Sequence, residues 1–126
     1  MLRIKRVYEP VGRADGRRVL VERLWPRGMK KADAHLDAWN KDVAPTGPLR
    51  TWYAHDVERW PEFRKRYQAE LAKHPDAWKP LVAEARARPV TLLFSSRDAE
   101  HSGARVLHGF LLRHGARAKT TRRPAR

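Results

Sequence analysis

Apolar positions along the chain change period several times, and each change marks an element. Leu2, Ile4 and the Val7-Tyr8 pair stand between basic residues, an alternation that predicts an edge or half-covered strand over 2–8. Residues 12–16, bounded by glycines, read as a loop. Val19-Leu20-Val21 is a continuous apolar run within a second strand, 18–24, as expected where both strand faces are buried. Leu36, Trp39 and Val43 then fall at helical spacing, predicting a helix over 31–43 with Asp33 near its start. A short helix over 48–54 follows, with Pro48 tolerated in its first turn. Trp60, Phe63, Tyr67 and Leu71 form a stripe on a longer helix, 59–72. Asp76 precedes another at 77–87, carrying Trp78, Leu81, Val82 and Ala85. Pro89 breaks the helical run before a third strand, 90–94. Ala104, Leu107 and Leu111 share a face of a last helix, 99–114, and Gly115 suits the left-handed position that ends it.

This order predicts a compact three-layer α/β domain over 1–115, with a small three-stranded, at least partly parallel sheet and helices on both faces. The long crossover between residues 24 and 90 suits parallel pairing with a right-handed connection. Residues 116–126 have no apolar period and read as a basic, disordered tail.

Charge sharpens the picture. The formal net charge is +14, arginine outnumbers lysine, and no acid follows Glu100. Nucleic acid is therefore a partner to weigh, although the arginines are scattered through every segment and no nucleic-acid module motif is present. The sequence has no cysteine, hence no disulfide framework and no thiolate nucleophile. No stretch reaches the ~18 apolar residues of a membrane span, and the N-terminus lacks a signal-type apolar segment. The expectation is a cytoplasmic protein with no membrane partner, while the pattern sets no oligomeric state.

Candidate chemistry gathers where two strands end. The second strand runs into Arg23, Trp25, Arg27 and the turn residue Gly28, and the third into Ser95, Ser96, Arg97 and Asp98. Open α/β sheets bind ligands beyond such strand ends. A helix starting near 96–99 would add amide donors, and guanidinium forks suit oxyanions. These residues predict a site for a small anionic or phosphorylated ligand. Ser96 or Asp98 acting only as a helix cap is the structural alternative. Trp25 suits either a planar ligand or the core. His101, three residues after Asp98, could act as acid or base with Asp98 orienting it; His55, beside Asp56, is a second candidate. No Gly-x-Ser-x-Gly elbow, dinucleotide fingerprint, phosphate-binding Walker loop or metal-ligand spacing occurs, so no cofactor and no metal are expected. A third alternative is a protein-interaction module presenting Trp52, Tyr53 or Trp60.

Several of these residues also carry a family resemblance. Arg6-Val7-Tyr8, Val21-Glu22-Arg23-Leu24-Trp25-Pro26-Arg27-Gly28, Trp39-Asn40-Lys41-Asp42-Val43-Ala44-Pro45, Leu49-Arg50-Thr51-Trp52-Tyr53-Ala54-His55 and Phe63-Arg64-Lys65-Arg66-Tyr67 form an ordered series. With Thr91 to Asp98 and Glu100-His101, the series resembles the YeaO-like branch of the bacterial domain of unknown function number 488 over residues 3–114. Ser102-Gly103 stand where that family often has two asparagines. The resemblance implies a small cytoplasmic α/β protein and groups Arg23, Trp25, Arg27, His55, Arg97, Asp98 and His101. It brings no established reaction.

Overall fold

A computed structural model describes residues 1–117. The chain forms β1 (Leu2–Arg6), β2 (Arg17–Leu20), α1 (Lys31–Ala34), β3 (Ala38–Trp39), α2 (Gly47–Tyr53), α3 (Trp60–Ala72), α4 (Pro75–Ala87), β4 (Val90–Phe94) and α5 (Gly103–Arg113). The strands make one sheet in the order β1-β4-β2-β3, and every pairing is parallel. The domain is thus α/β as expected, with four strands rather than three.

β4 is central, and all five of its residues are buried. Val90, Leu92 and Phe94 join Leu2, Val19 and Val21 in a large cluster with the apolar faces of α2 to α5. Leu93 faces the other way and packs with Val7, Leu20 and Ala34 of α1, with Trp25, Met29 and Leu36 at the margin. Four helices therefore cover one face, while α1 and its flanking loops cover the other. The stripe on α3 is buried at Phe63, Tyr67 and Leu71.

The fourth strand lies inside the segment that periodicity assigns to a helix over 31–43. Helix α1 stops after one turn, with His35 left-handed at φ 49°. The cause is Arg18, whose guanidinium donates to the carbonyls of Ala34 (3.0 Å) and His35 (3.1 Å). The Arg18 amide donates to the Asp37 carboxylate at 2.8 Å. The Asp37 amide in turn donates to the Arg18 carbonyl, also at 2.8 Å. These bonds draw residues 37–40 alongside β2, and a single-turn 3₁₀ helix, Lys41–Val43, follows. Leu36 and Val43 then belong to different clusters, so their helical spacing marks no common face.

Other boundaries move for local reasons. β2 ends at Leu20, although the Val21 amide still reaches the Leu93 carbonyl at 3.1 Å. α4 begins at Pro75, which places Asp76 inside its first turn. The expected helix over 99–114 is divided in two. Asp98 caps a 3₁₀ turn, Ala99–His101, and Ser102 caps α5 by accepting from the Arg105 amide at 3.2 Å. Gly115 has the expected positive φ, 110°. Ala116, placed in the tail by its sequence, is buried, and the Arg117 carbonyl accepts from the Leu2 amide at 2.6 Å. The rest of the expected tail, residues 118–126, lies outside the described residues. Among the described residues no helix is long and apolar enough to cross a membrane.

Arg18 is buried and paired with the buried carboxylate of Asp15. Lys5 completes the group, its ammonium 3.0 Å from Asp15 Oδ1. Burial alone would raise the Asp15 carboxyl, but the Gly12 amide, Lys5 and Arg18 together hold it below its ordinary value. Removing Arg18 strips this carboxylate of one cation and orphans two carbonyls. Arg18→Ala should cost about 3 kcal/mol in urea unfolding, Lys5 keeping the loss at the low end for a broken buried pair. Because the folded value is lowered, the Asp15 contribution is complete above the ordinary carboxylate range. It should be lost as pH falls below about 4 and through the folded value. Asp15→Asn should flatten that part of the stability profile.

Candidate functional site

Beyond the C-terminal ends of β2 and β4 lies a cleft of about 290 Å³. Its walls include Arg23, Trp25, Arg27, His55, Ser95, Ser96 and His101, which the sequence singles out for a ligand site, and also Tyr53, weighed there only as an interaction surface, and Glu22 and Arg50, which have no assigned role there. Arg97 is exposed and is not part of the wall; Asp98 reaches the cleft only through His101.

Glu22 sets the geometry. Its carboxylate accepts from the Ser95 amide at 3.0 Å and from the Ser95 hydroxyl at 2.8 Å, tying the segment after β2 to the end of β4. The Ser96 hydroxyl is engaged as well, accepting from the Asp98 amide of its own turn at 3.2 Å. Arg6 secures the same turn from β1, donating to the carbonyls of Ser96 (2.9 Å) and Ser95 (3.1 Å). Both serine hydroxyls therefore hold the frame. The free amides also sit elsewhere than the sequence suggests, because α5 begins at Gly103 rather than near 96–99. The Gly103 and Ala104 amides of its first turn have no hydrogen-bond partner among the described residues, and both residues line the cleft.

The cationic side chains differ in freedom. Arg23 is held by its Nε bond to the Pro45 carbonyl (3.1 Å) and its Nη2 bond to the Ala44 carbonyl (3.3 Å), which leaves Nη1 over. The side chains of Arg27 and Arg50 are exposed and have no ion-pair partner among the described residues. Gly28, at φ 74°, supplies the turn after Arg27. The one carboxylate in the wall, Glu22, is occupied by Ser95. The Trp25 indole donates to the Met29 carbonyl at 2.7 Å and meets Trp39 edge-on at 5.3 Å, which fixes its ring.

His101 is held on three sides. Its Nδ1 lies 2.8 Å from Asp98 Oδ2, its carbonyl accepts from the Tyr53 hydroxyl at 2.7 Å, and its ring meets Trp60 edge-on at 5.2 Å. A carboxylate only accepts, so Nδ1 carries the proton and Nε2 is the free nitrogen of the neutral ring. The hydrogen bond from His101 is the main reason the Asp98 carboxyl lies below its ordinary value. The pair meets through the cap of a 3₁₀ turn, not through the shared helix face that spacing suggests. His55 follows Ala54, and both are left-handed, at φ 58° and 48°. Two successive non-glycine residues in that region mark a strained turn at the cleft's edge.

A larger groove, about 480 Å³, lies on the other side of Arg23, between Asp42, Glu70, Lys73 and Asp76. Its charges are mixed, and the Glu70 carboxylate is taken by the Thr46 amide (3.0 Å) and hydroxyl (2.6 Å). The convergent cations belong to the smaller cleft. The three rings weighed as an interaction patch are not open: Tyr53 is buried, Trp60 is half-buried against His101, and Trp52 is covered by Arg66 at 4.2 Å and Arg59 at 5.2 Å.

The Asp98–His101 geometry has a direct check. Nitrogen-15 NMR of the imidazole above neutral pH should report the Nδ1–H form, and Asp98→Asn should move it toward a mixture of tautomers. A dominant Nε2–H form in the unaltered protein would contradict the assignment.

Comparison with known proteins agrees with the residue-level resemblance. The chain is 43% identical over 110 residues to the uncharacterised protein YeaO of Escherichia coli (strain K12), covering 87% of this chain and 96% of that one. It is 44% identical over 110 residues to an uncharacterised protein of Mycobacterium tuberculosis (strain ATCC 25618 / H37Rv), covering 84% of this chain and 89% of that one. No solved structure gives a significant match. A family profile described as the inactive DUF488-N3 subclade, DUF488-N3i, matches residues 1–126, and the chain belongs to that family.

Proposed function

We propose that this protein binds a small anion, of the phosphate or phosphate-monoester class, in the cleft between the ends of β2 and β4. The observation that carries the reading is one of charge. Arg23, Arg27 and Arg50 border a single cleft in which they outnumber the one wall carboxylate, Glu22, itself held by Ser95, and the first-turn amides of α5 border it too. Free first-turn amides and the positive end of the helix dipole favour an anion. Arg23 is largely ordered before any ligand arrives, so binding to it forfeits little side-chain entropy.

Binding without turnover is the form of the function we favour, and the family description as an inactive subclade supports it. Acid–base chemistry is the second reading, carried by the Asp98–His101 pair and the unengaged Nε2. Reproducible hydrolysis of a phosphate ester that disappears in His101→Gln would favour it. We place the protein in the cytoplasm, the compartment the cysteine-free sequence suits.

Calorimetric titration with phosphate at low salt tests the reading. Losing one charge-assisted contact removes about 1.5–3 kcal/mol, so Arg23→Ala and Arg50→Ala should each weaken binding about tenfold or more. Arg97→Ala, outside the cleft wall, should leave the affinity unchanged. No saturable binding at millimolar phosphate, or equal affinity in all four proteins, would reject the proposal. Binding to a DNA duplex with a steep salt dependence, unaffected by Arg23→Ala, would point to the basic surface as a nucleic-acid interface.

A further inference from the structure

Half of the cleft wall is unsuited to a bare anion. Leu24 is the most exposed of the large hydrophobic residues, at 58%, and it lies in this wall. The next residue, the half-buried Trp25, lines the cleft as well, and its ring is held in one orientation by the Met29 carbonyl and by Trp39. Pro26 and Phe63 also line the cleft but are themselves buried, so Leu24 and Trp25 are its open apolar surface. Inorganic phosphate would satisfy the arginines and leave these carbon surfaces wet. An exposed leucine next to a fixed indole is explained when the ligand itself has an apolar part.

From this we infer that the cleft takes a phosphate monoester bearing one flat apolar group, its ring against Leu24 and Trp25 and its phosphate toward Arg23 and Arg50. The inference rests on the anion-binding reading above and names the ligand class for the same site. Ordered aromatic and aliphatic walls bind a planar group at little entropic cost, because the Trp25 rotamer is already set. Size agrees. A cleft of about 290 Å³ falls just below the ~300–1,000 Å³ range of ligand pockets, which suits a one-ring ester better than a dinucleotide.

The test compares inorganic phosphate, methyl phosphate and phenyl phosphate by calorimetry against the full chain, Leu24→Ser and Trp25→Leu. Phenyl phosphate should bind about tenfold more tightly than methyl phosphate. Leu24→Ser, at an exposed position that the fold does not need, should reduce that preference severalfold. Trp25→Leu should reduce it further if the variant folds; should it unfold, Leu24→Ser alone decides. Equal affinity for the two esters would overturn the inference while leaving the anion site standing. A preference that survives in Leu24→Ser would place the ring elsewhere and overturn it as well. No binding of any of the three would bring down the anion-binding reading itself.

Discussion

A guanidinium in the interior must find its hydrogen bonds there, and Arg18 does so on the inner strand β2. It takes Asp15 as counterion and the carbonyls of Ala34 and His35 as further acceptors, while its own amide is taken by Asp37. An unpaired charge at this depth would be far costlier than any helix propensity. Residues 31–37 are therefore held over the second sheet face, β3 forms beside β2, and Trp25, Met29 and Leu36 pack beneath. The tryptophan wall of the cleft thus depends on a charge at the opposite end of the strand. Asp15 carries the tie onward, since its carbonyl accepts from the Thr91 hydroxyl of β4 at 2.7 Å.

At the other end of the same strand, Glu22 performs a related task in a more open setting. Its two oxygens hold Ser95, and Arg6 holds the carbonyls of the Ser95-Ser96 turn, so the ends of β1, β2 and β4 are locked together. This lock sorts the polar residues of the cleft. Serines that look free in the sequence are engaged, Arg23 is half engaged, and Arg27, Arg50 and the Nε2 of His101 are available. The anion-binding proposal follows from this sorting rather than from the number of arginines.

Much of the fold was legible because local pattern and tertiary environment agree. β4 reads as a buried strand because both of its faces are covered. α3 reads correctly because its stripe meets one continuous core. The segment 31–43 misleads because Leu36, Trp39 and Val43 have helical spacing but three different environments, and the deciding bonds come from Arg18, distant in sequence. The helix before Arg113 divides because Asp98 and Ser102 both act as caps, a local signal that Ser102 carries openly. In the site, Arg23, Trp25, Arg27, Ser95, Ser96 and His101 do converge, since parallel strands end at one edge of the sheet, and the turn after α2 brings His55 to the same cleft. Arg97 does not, because the turn capped by Asp98 replaces the helix that would have aligned it with His101. Arg50 had no signal of its own, and Tyr53 was read only as an interaction ring. They reach the cleft because α2 packs against α3, a contact that no local spacing encodes.

In the proposed binding mode an anion enters the cleft at the first turn of α5 beside Arg23. Phosphate titration followed by amide nitrogen-15 NMR observes that place directly. Saturable shifts are expected at the Gly103 and Ala104 amides and at the Arg23 Nε–H group, all fitting one dissociation constant. Shifts that never saturate, or that fall on exposed arginines away from the cleft such as Arg3, Arg86 and Arg113 while Gly103 and Ala104 stay fixed, would contradict it.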